Sequence, residues 1–187
     1  MAKSLVFVAL LRGINVAGKN MIKMTDLKQS FESLGFSDVK TYLQSGNVIF
    51  KVSGAGAKAD VITKKIQALL KKDYKADIPV VVRSDLEIQS IASENPYLKM
   101  KKIDLEKLHT VFLSESAPKD GIKKLKEISS GKDTLIESDR EIYLHCPDGY
   151  GNTKLSNAAI ERACKITATT RNWKTTLALV EMLLTGP

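Results

Sequence analysis

The stretch SLVFVALL, residues 4–11, places the tightest constraint on what this chain can fold into. Rich in Val, Leu and Phe, it reads as a strand. Successive residues of a strand point to opposite faces, and here both sets are apolar. Leu5, Phe7 and Ala9 share one side; Val6, Val8 and Leu10 share the other. Such a strand belongs in the middle of a sheet that is covered on both faces. The run is too short to cross a membrane, which takes about 20 apolar residues. Nor does it suit a secretory signal, because Arg12 stands where a small-residue cleavage site belongs. The cytoplasm is the expected location.

The segments that follow supply partners for that strand. Thr25 is expected to cap a helix, with Asp26 in the first turn, Leu27, Phe31 and Leu34 at helical spacing, and Gly35 as the stop. VKTYLQSGNVIFKV then reads as a hairpin with Ser45-Gly46 as a two-residue turn. That register sets Gln44 opposite Asn47, Tyr42 opposite Ile49 and Lys40 opposite Lys51. The other face pairs Leu43 with Val48, Thr41 with Phe50 and Val39 with Val52, so one face is apolar. A helix carrying Ile62, Ile66, Leu69 and Leu70 and a closing strand at 78–83 complete a βαββαβ order, the ferredoxin-like plait.

The order then recurs. Ser84-Asp-Leu-Glu87 is a capping box, Asn95-Pro96 ends the short helix it opens, and a basic connector follows. KLHTVFL reads as a strand, Ser116 as the cap of a helix with Ile122, Leu125 and Ile128, and DTLIESDREIYLHC as a second hairpin. Residues 154–164 read as a helix and ITATT as a brief last strand; a final amphipathic helix carries Trp173, Leu177, Val180 and Leu184. The fold expected is α+β: two tandem ferredoxin-like plaits, residues 1–84 and 107–187, joined by a connector at 85–106. The second plait or the last helix is the natural cover for the doubly apolar strand.

Charge separates the halves. The net charge is +8; residues 1–84 hold 14 Lys or Arg against 6 Asp or Glu, and residues 85–187 hold 15 of each. A basic half suits anionic partners such as nucleic acid or phosphorylated small molecules, and equally suits plain solubility. The two cysteines, Cys146 and Cys164, make neither a disulfide framework nor a zinc site.

Four groups of residues invite a chemical reading. GINVAGKN, residues 13–20, is one residue short of a phosphate-binding P-loop, having Asn20 where Ser or Thr would hold magnesium. The helix cap expected at Thr25 also comes too late to cradle phosphate. What survives is an anion nest from Arg12, Lys19 and Lys23, or a crossover whose glycines allow tight turns. The polar hairpin face (Lys40, Tyr42, Gln44, Asn47, Lys51, with Arg83) reads as a solvated or domain-facing surface. It lacks the aromatics of an RNA-reading sheet, since Phe50 faces the core. His145 and Cys146 are adjacent on a strand, hence on opposite faces, and cannot pair; both thiols read as buried and inert, while His145 and Tyr143, which share a face, and His109 are the candidates for a general base. Finally, Tyr150, Asn152, Lys154, Arg162, Arg171, Asn172 and Trp173 form a dense polar set. With Thr169 or Thr170 as the cap of the last helix, Arg171 would sit at an electropositive terminus suited to anions, or would pair with a carboxylate across a domain seam while Trp173 anchors the helix.

LLRGINVAGKNMIKM, YLQSGNVIF and TKLSNAAIER…TATTRNWKT together resemble the bacterial domain-of-unknown-function family 1697. The resemblance runs nearly end to end and is loose over residues 53–105. It implies a compact bacterial protein of tandem plait-like subdomains with no settled activity, cofactor or substrate. The matching positions are Arg12, Gly13, Asn15, Gly18, Lys19, Asn20, Gln44, Ser45, Gly46, Asn47, Lys154, Arg171, Asn172 and Trp173. Ala17 and Lys174 depart from it, where the family typically has Gly and Asn. The expectation is a protein that binds an anionic ligand (a nucleotide, a phosphorylated metabolite or a nucleic-acid backbone) in a polar cleft between the plaits. The candidate ligand-binding residues are Arg12, Asn15, Lys19, Asn20, Gln44, Ser45, Asn47, Lys154, Arg171 and Asn172. No metal, cofactor or membrane partner is expected. The alternatives are an enzyme using Arg12, Lys19 or Lys154 on a phosphorylated or acyl substrate, and a salt-sensitive nucleic-acid-binding module.

Overall fold

The computed structural model describes residues 4–54, 57–129 and 132–186. The chain divides into two units, Met1–Gln89 with Leu179–Pro187, and Ser90–Ala178.

The first unit runs β1 (Ser4–Leu11), α1 (Met24–Ser33), β2 (Ser37–Tyr42), β3 (Asn47–Ser53), α2 (Ala59–Tyr74) and β4 (Val80–Ser84). Its four strands form an antiparallel sheet in the order β2-β3-β1-β4, so the doubly apolar strand is interior. One face carries Phe7, Ala9, Leu11, Val48, Phe50 and Val82, on which Leu27 and Phe31 of α1 and Ile62, Ile66 and Leu70 of α2 pack. Phe50 lies at the centre, its ring 4.6 Å from Phe36 and 5.3 Å from Phe31. On the other face Val8, Leu10, Ile49 and Val81 are buried too, as the sequence of β1 requires.

The second unit repeats the order. β5 (Leu108–Leu113), α4 (Lys119–Ile128), β6 (Thr134–Ser138), β7 (Glu141–His145), α5 (Asn157–Cys164) and β8 (Ala168–Asn172) form an antiparallel sheet ordered β6-β7-β5-β8. Its core is aliphatic, with Val111, Leu125, Ile142, Leu144 and Ile160 beside the thiols of Cys146 and Cys164. In both units the last strand runs straight into a helix. Ser84 and Glu87 close the expected capping box on α3 (Asp85–Ser93), Ser84 N donating to Glu87 Oε2 at 2.7 Å. β8 leads into α6 (Trp173–Leu184).

Several local expectations are corrected. The first hairpin pairs Tyr42 with Asn47, Thr41 with Val48 and Lys40 with Ile49, two residues out of the predicted register. A shift of two keeps every side chain on its face, so the apolar pattern could not detect it. The connection is therefore the four residues Leu43 to Gly46, and Leu43 leaves the apolar face for solvent. Thr25 does not cap α1, which begins at Met24; its hydroxyl donates to Asp26 instead. Ser116 does not cap α4, since its hydroxyl donates to Asp139 Oδ1 and Pro118 leads into the helix. The helix expected from Lys154 begins at Asn157, with Ser156 as its cap. Neither Thr169 nor Thr170 caps α6: both lie in β8, and Asn172 Oδ1 accepts from Thr175 N at 2.8 Å. The polar hairpin face, expected to be solvated or domain-facing, is mixed: Asn47 and Arg83 are buried, and Lys40 and Gln44 are exposed.

Candidate functional site

The connection from β1 to α1, residues 12–23, is an ordered loop built on one side chain. Asn15 Oδ1 accepts from Ile22 N at 2.8 Å, and its Nδ2 donates to Ile22 O and to Gln44 O, both at 2.9 Å. Asn15 N donates to Asn20 O, and Asn20 Nδ2 returns to Gly13 O at 3.0 Å. Val16 and Lys19 form a bridge at the tip. Turning this tightly puts Gly13, Asn15, Ala17, Gly18 and Asn20 at φ of +69°, +54°, +49°, +75° and +47°. Glycine and asparagine accept that region most readily, which accounts for the composition of GINVAGKN. Asn15 and Asn20 thus spend their amides on holding the loop. No helix starts at Lys19, so the P-loop likeness has no structural counterpart.

The loop meets the β2–β3 connection. Gly46 O accepts from Leu11 N at 2.8 Å, beside the Asn15–Gln44 bond. Gly46 is at φ +75°, and a Cβ there would lie 2.6 Å from Ile14 Cδ1 and 2.8 Å from Leu11 Cβ. Only glycine closes the two loops this tightly. Buried Asn47 completes the junction, its Nδ2 donating to Tyr42 O and Ser45 Oγ. Arg12 and Ile14 sit at the base of the assembly, half-buried and buried, while residues 16–21 and 43–45 are exposed. Among the exposed residues are Lys19 and three apolar side chains that sequence reasoning passed over: Val16 (59% exposed), Met21 (69%) and Leu43 (53%). Leu43 holds φ +58°, a costly conformation for leucine. Sequence periodicity hid it, because the assumed register placed Leu43 in the core.

Six sequence-predicted residues of the first unit therefore come together: Asn15, Asn20, Gln44, Ser45 and Asn47 form the scaffold, and Lys19 projects from it. Arg12 stands at its root, its backbone N–H donating to Pro79 O.

Lys154, Arg171 and Asn172 belong to the second unit. Lys154 is exposed ahead of α5, and Asn172 is the cap of α6. Arg171 is buried on its sheet, donating to Thr169 Oγ1 at 2.8 Å and Thr170 O at 3.0 Å; burial lowers the guanidinium to about 10. Of the polar set around it, Tyr150 donates to Thr170 Oγ1, which donates to Asn157 Oδ1 at 2.7 Å. His109 stacks on Tyr150 with ring centres 4.8 Å apart, and burial lowers its pKa. Cys146 and Cys164 are buried free thiols, as expected; burial raises both, Cys146 to about 11, so neither is an activated nucleophile. Among the described residues no group of three His, Cys, Asp or Glu could hold a metal ion, and no helix is long and apolar enough to cross a membrane.

A family model described as a protein of unknown function (DUF1697) matches residues 5–143, and the chain belongs to that family. No curated protein matches. Among solved structures, the conserved bacterial protein SP0830 from Streptococcus pneumoniae is similar, with a TM-score of 0.75 and 22% identity over 97% of this chain and 99% of that one. At that identity the likeness concerns the fold.

Proposed function

We propose that this member of the DUF1697 family is an anion-binding protein of two tandem ferredoxin-like plaits, whose ligand sits on the paired loops 12–23 and 43–46 of the first unit. The plait reading is supported by the βαββαβ order of each unit and by the shared strand order, in which the first strand lies between the third and the fourth. Two free cysteines fit a cytoplasmic setting.

One observation carries the binding reading. The two units close their frameworks with matched hydrogen bonds. Leu11 N donates to Gly46 O in the first and Leu113 N to Arg140 O in the second; Arg12 N donates to Pro79 O, and Ser114 N to Thr167 O. Yet residues 114–118 suffice to join β5 to α4, and residues 139–140 to join β6 to β7. The fold therefore does not need the long loops of the first unit. They carry Arg12, Lys19 and Lys23, and no acidic residue precedes Asp26. A rigid backbone with left-handed residues flanked by cations is suited to phosphate or carboxylate groups.

A thermal-shift series with phosphate, pyrophosphate and nucleotides tests this, together with mass spectrometry of gently purified protein. The expected result is stabilisation that Lys19→Ala with Lys23→Ala abolishes. No shift and no co-purified ligand would overturn it. Confinement of the excess positive charge to residues 1–84 keeps a nucleic-acid backbone as the alternative anion. In that case affinity falls steeply between low and moderate salt.

A further inference from the structure

The same loops carry a feature that a small anion does not explain. Val16, Met21 and Leu43 are large apolar side chains held in water. Val16 is bridged to Lys19 at the loop tip, Met21 follows Asn20, which is bonded to Asn15, and Leu43 precedes Gln44, which is also bonded to Asn15. The Asn15 tie thus gathers residues 16, 21 and 43 from two loops, and Lys19 and Lys23 are exposed on the first of them. In the second unit the short connections, residues 114–118 and 139–140, offer no large aliphatic residue.

We propose that these loops dock an acidic segment of a partner protein whose aliphatic side chains alternate with carboxylates. This rests on the anion-binding reading and names the anion as the carboxylates of a peptide chain. Charge complementarity selects an acidic partner, since Lys19 and Lys23 are exposed on the loop and residues 12–25 and 42–47 contain no Asp or Glu. The aliphatic tips then select a protein. A single-stranded nucleic acid stacks its bases on aromatic platforms, and the loops have none at their tips. An anionic membrane is read by clusters of about four to eight Lys or Arg with interfacial aromatics, and this patch has neither. Protruding Met and Leu on a pre-ordered backbone suit a peptide interface, because Met adapts to its contacts and the Asn15 and Gly46 ties leave little loop entropy to lose.

The test is to pan a random peptide display library on the full chain, with counter-selection on the Met21→Ser/Leu43→Ser variant. Circular dichroism verifies that the variant is folded. Enriched peptides should be acidic and aliphatic, and should lose about tenfold in affinity against either that variant or Lys19→Glu. No enrichment, or peptides that bind all variants equally, would overturn the proposal. So would retention by phosphatidylglycerol vesicles that the same substitutions remove. Stabilisation by phosphate that persists in Met21→Ser/Leu43→Ser without any peptide selection would leave the anion site standing and sink the peptide partner.

Discussion

The two units share an element order, a strand order and their closing hydrogen bonds, yet fill that frame differently. The first unit packs Phe7, Phe31, Phe36 and Phe50 under its sheet. The second uses Val, Leu and Ile with two cysteines, and packs Gly121 so close to Cys164 that a Cβ there would lie 2.8 Å from Cys164 Sγ. Both place a buried arginine at the fourth position of the last strand, Arg83 in β4 and Arg171 in β8, on the sheet face opposite α1 and α2 in the first unit and opposite α4 and α5 in the second. The parallel teaches which features the frame demands. An interior first strand, a last strand that turns at once into a capped helix and a buried arginine occur twice. The elaborated loops occur once, so they belong to the first unit's own business.

The largest test of this contrast is Phe50→Ala. Removing a ring that touches three others should cost about 3–5 kcal/mol, and amide exchange in α1, α2 and β3 should accelerate far more than in the second sheet. Uniform acceleration in both units would show that they open together. Next is Gly46→Ala, which combines a left-handed backbone with overlap on Leu11 and Ile14; about 2–4 kcal/mol of destabilisation is expected in chemical denaturation. Gly18→Ala has the same φ of +75° but no atom within 4 Å of the added carbon, and should cost only about 1–2 kcal/mol. Equal losses would mean that loop contact adds nothing to backbone strain.

A smaller effect is confined to the second unit. Burial holds the pKa of His109 below its usual 6.5, so the unfolded chain binds the proton more readily. The stability this group contributes is complete above about pH 6.5 and is lost as pH falls toward the folded value. Thermal melts between pH 7 and 5 should therefore show a decline that His109→Gln reduces. An unchanged slope in that variant would assign the decline to other groups.

The sequence alone determined much of this protein. Period-two and period-3.6 patterns placed the strands and most helices, because burial on one face is written locally along the chain. Apolar residues on both faces of β1 announced a doubly covered interior strand, and Ser84 and Glu87 announced their own capping box. The basic loop and the SGN turn were legible as unusual segments, through their glycines, asparagines and lysines. Tertiary structure decided the rest. A two-residue register shift preserves the faces, so only the pairing of Tyr42 with Asn47 in the folded sheet reveals a four-residue turn and an exposed Leu43. Helix caps at Thr25, Ser116 and Thr169 or Thr170 were plausible by residue type, but Asp26, Asp139 and the strand β8 claimed those groups. Arg171 was expected at the electropositive end of the last helix or paired with a carboxylate, and in the fold it lies buried on its sheet. Each of these outcomes depends on partners distant in the chain, and a local pattern cannot specify which of several polar partners a side chain will meet.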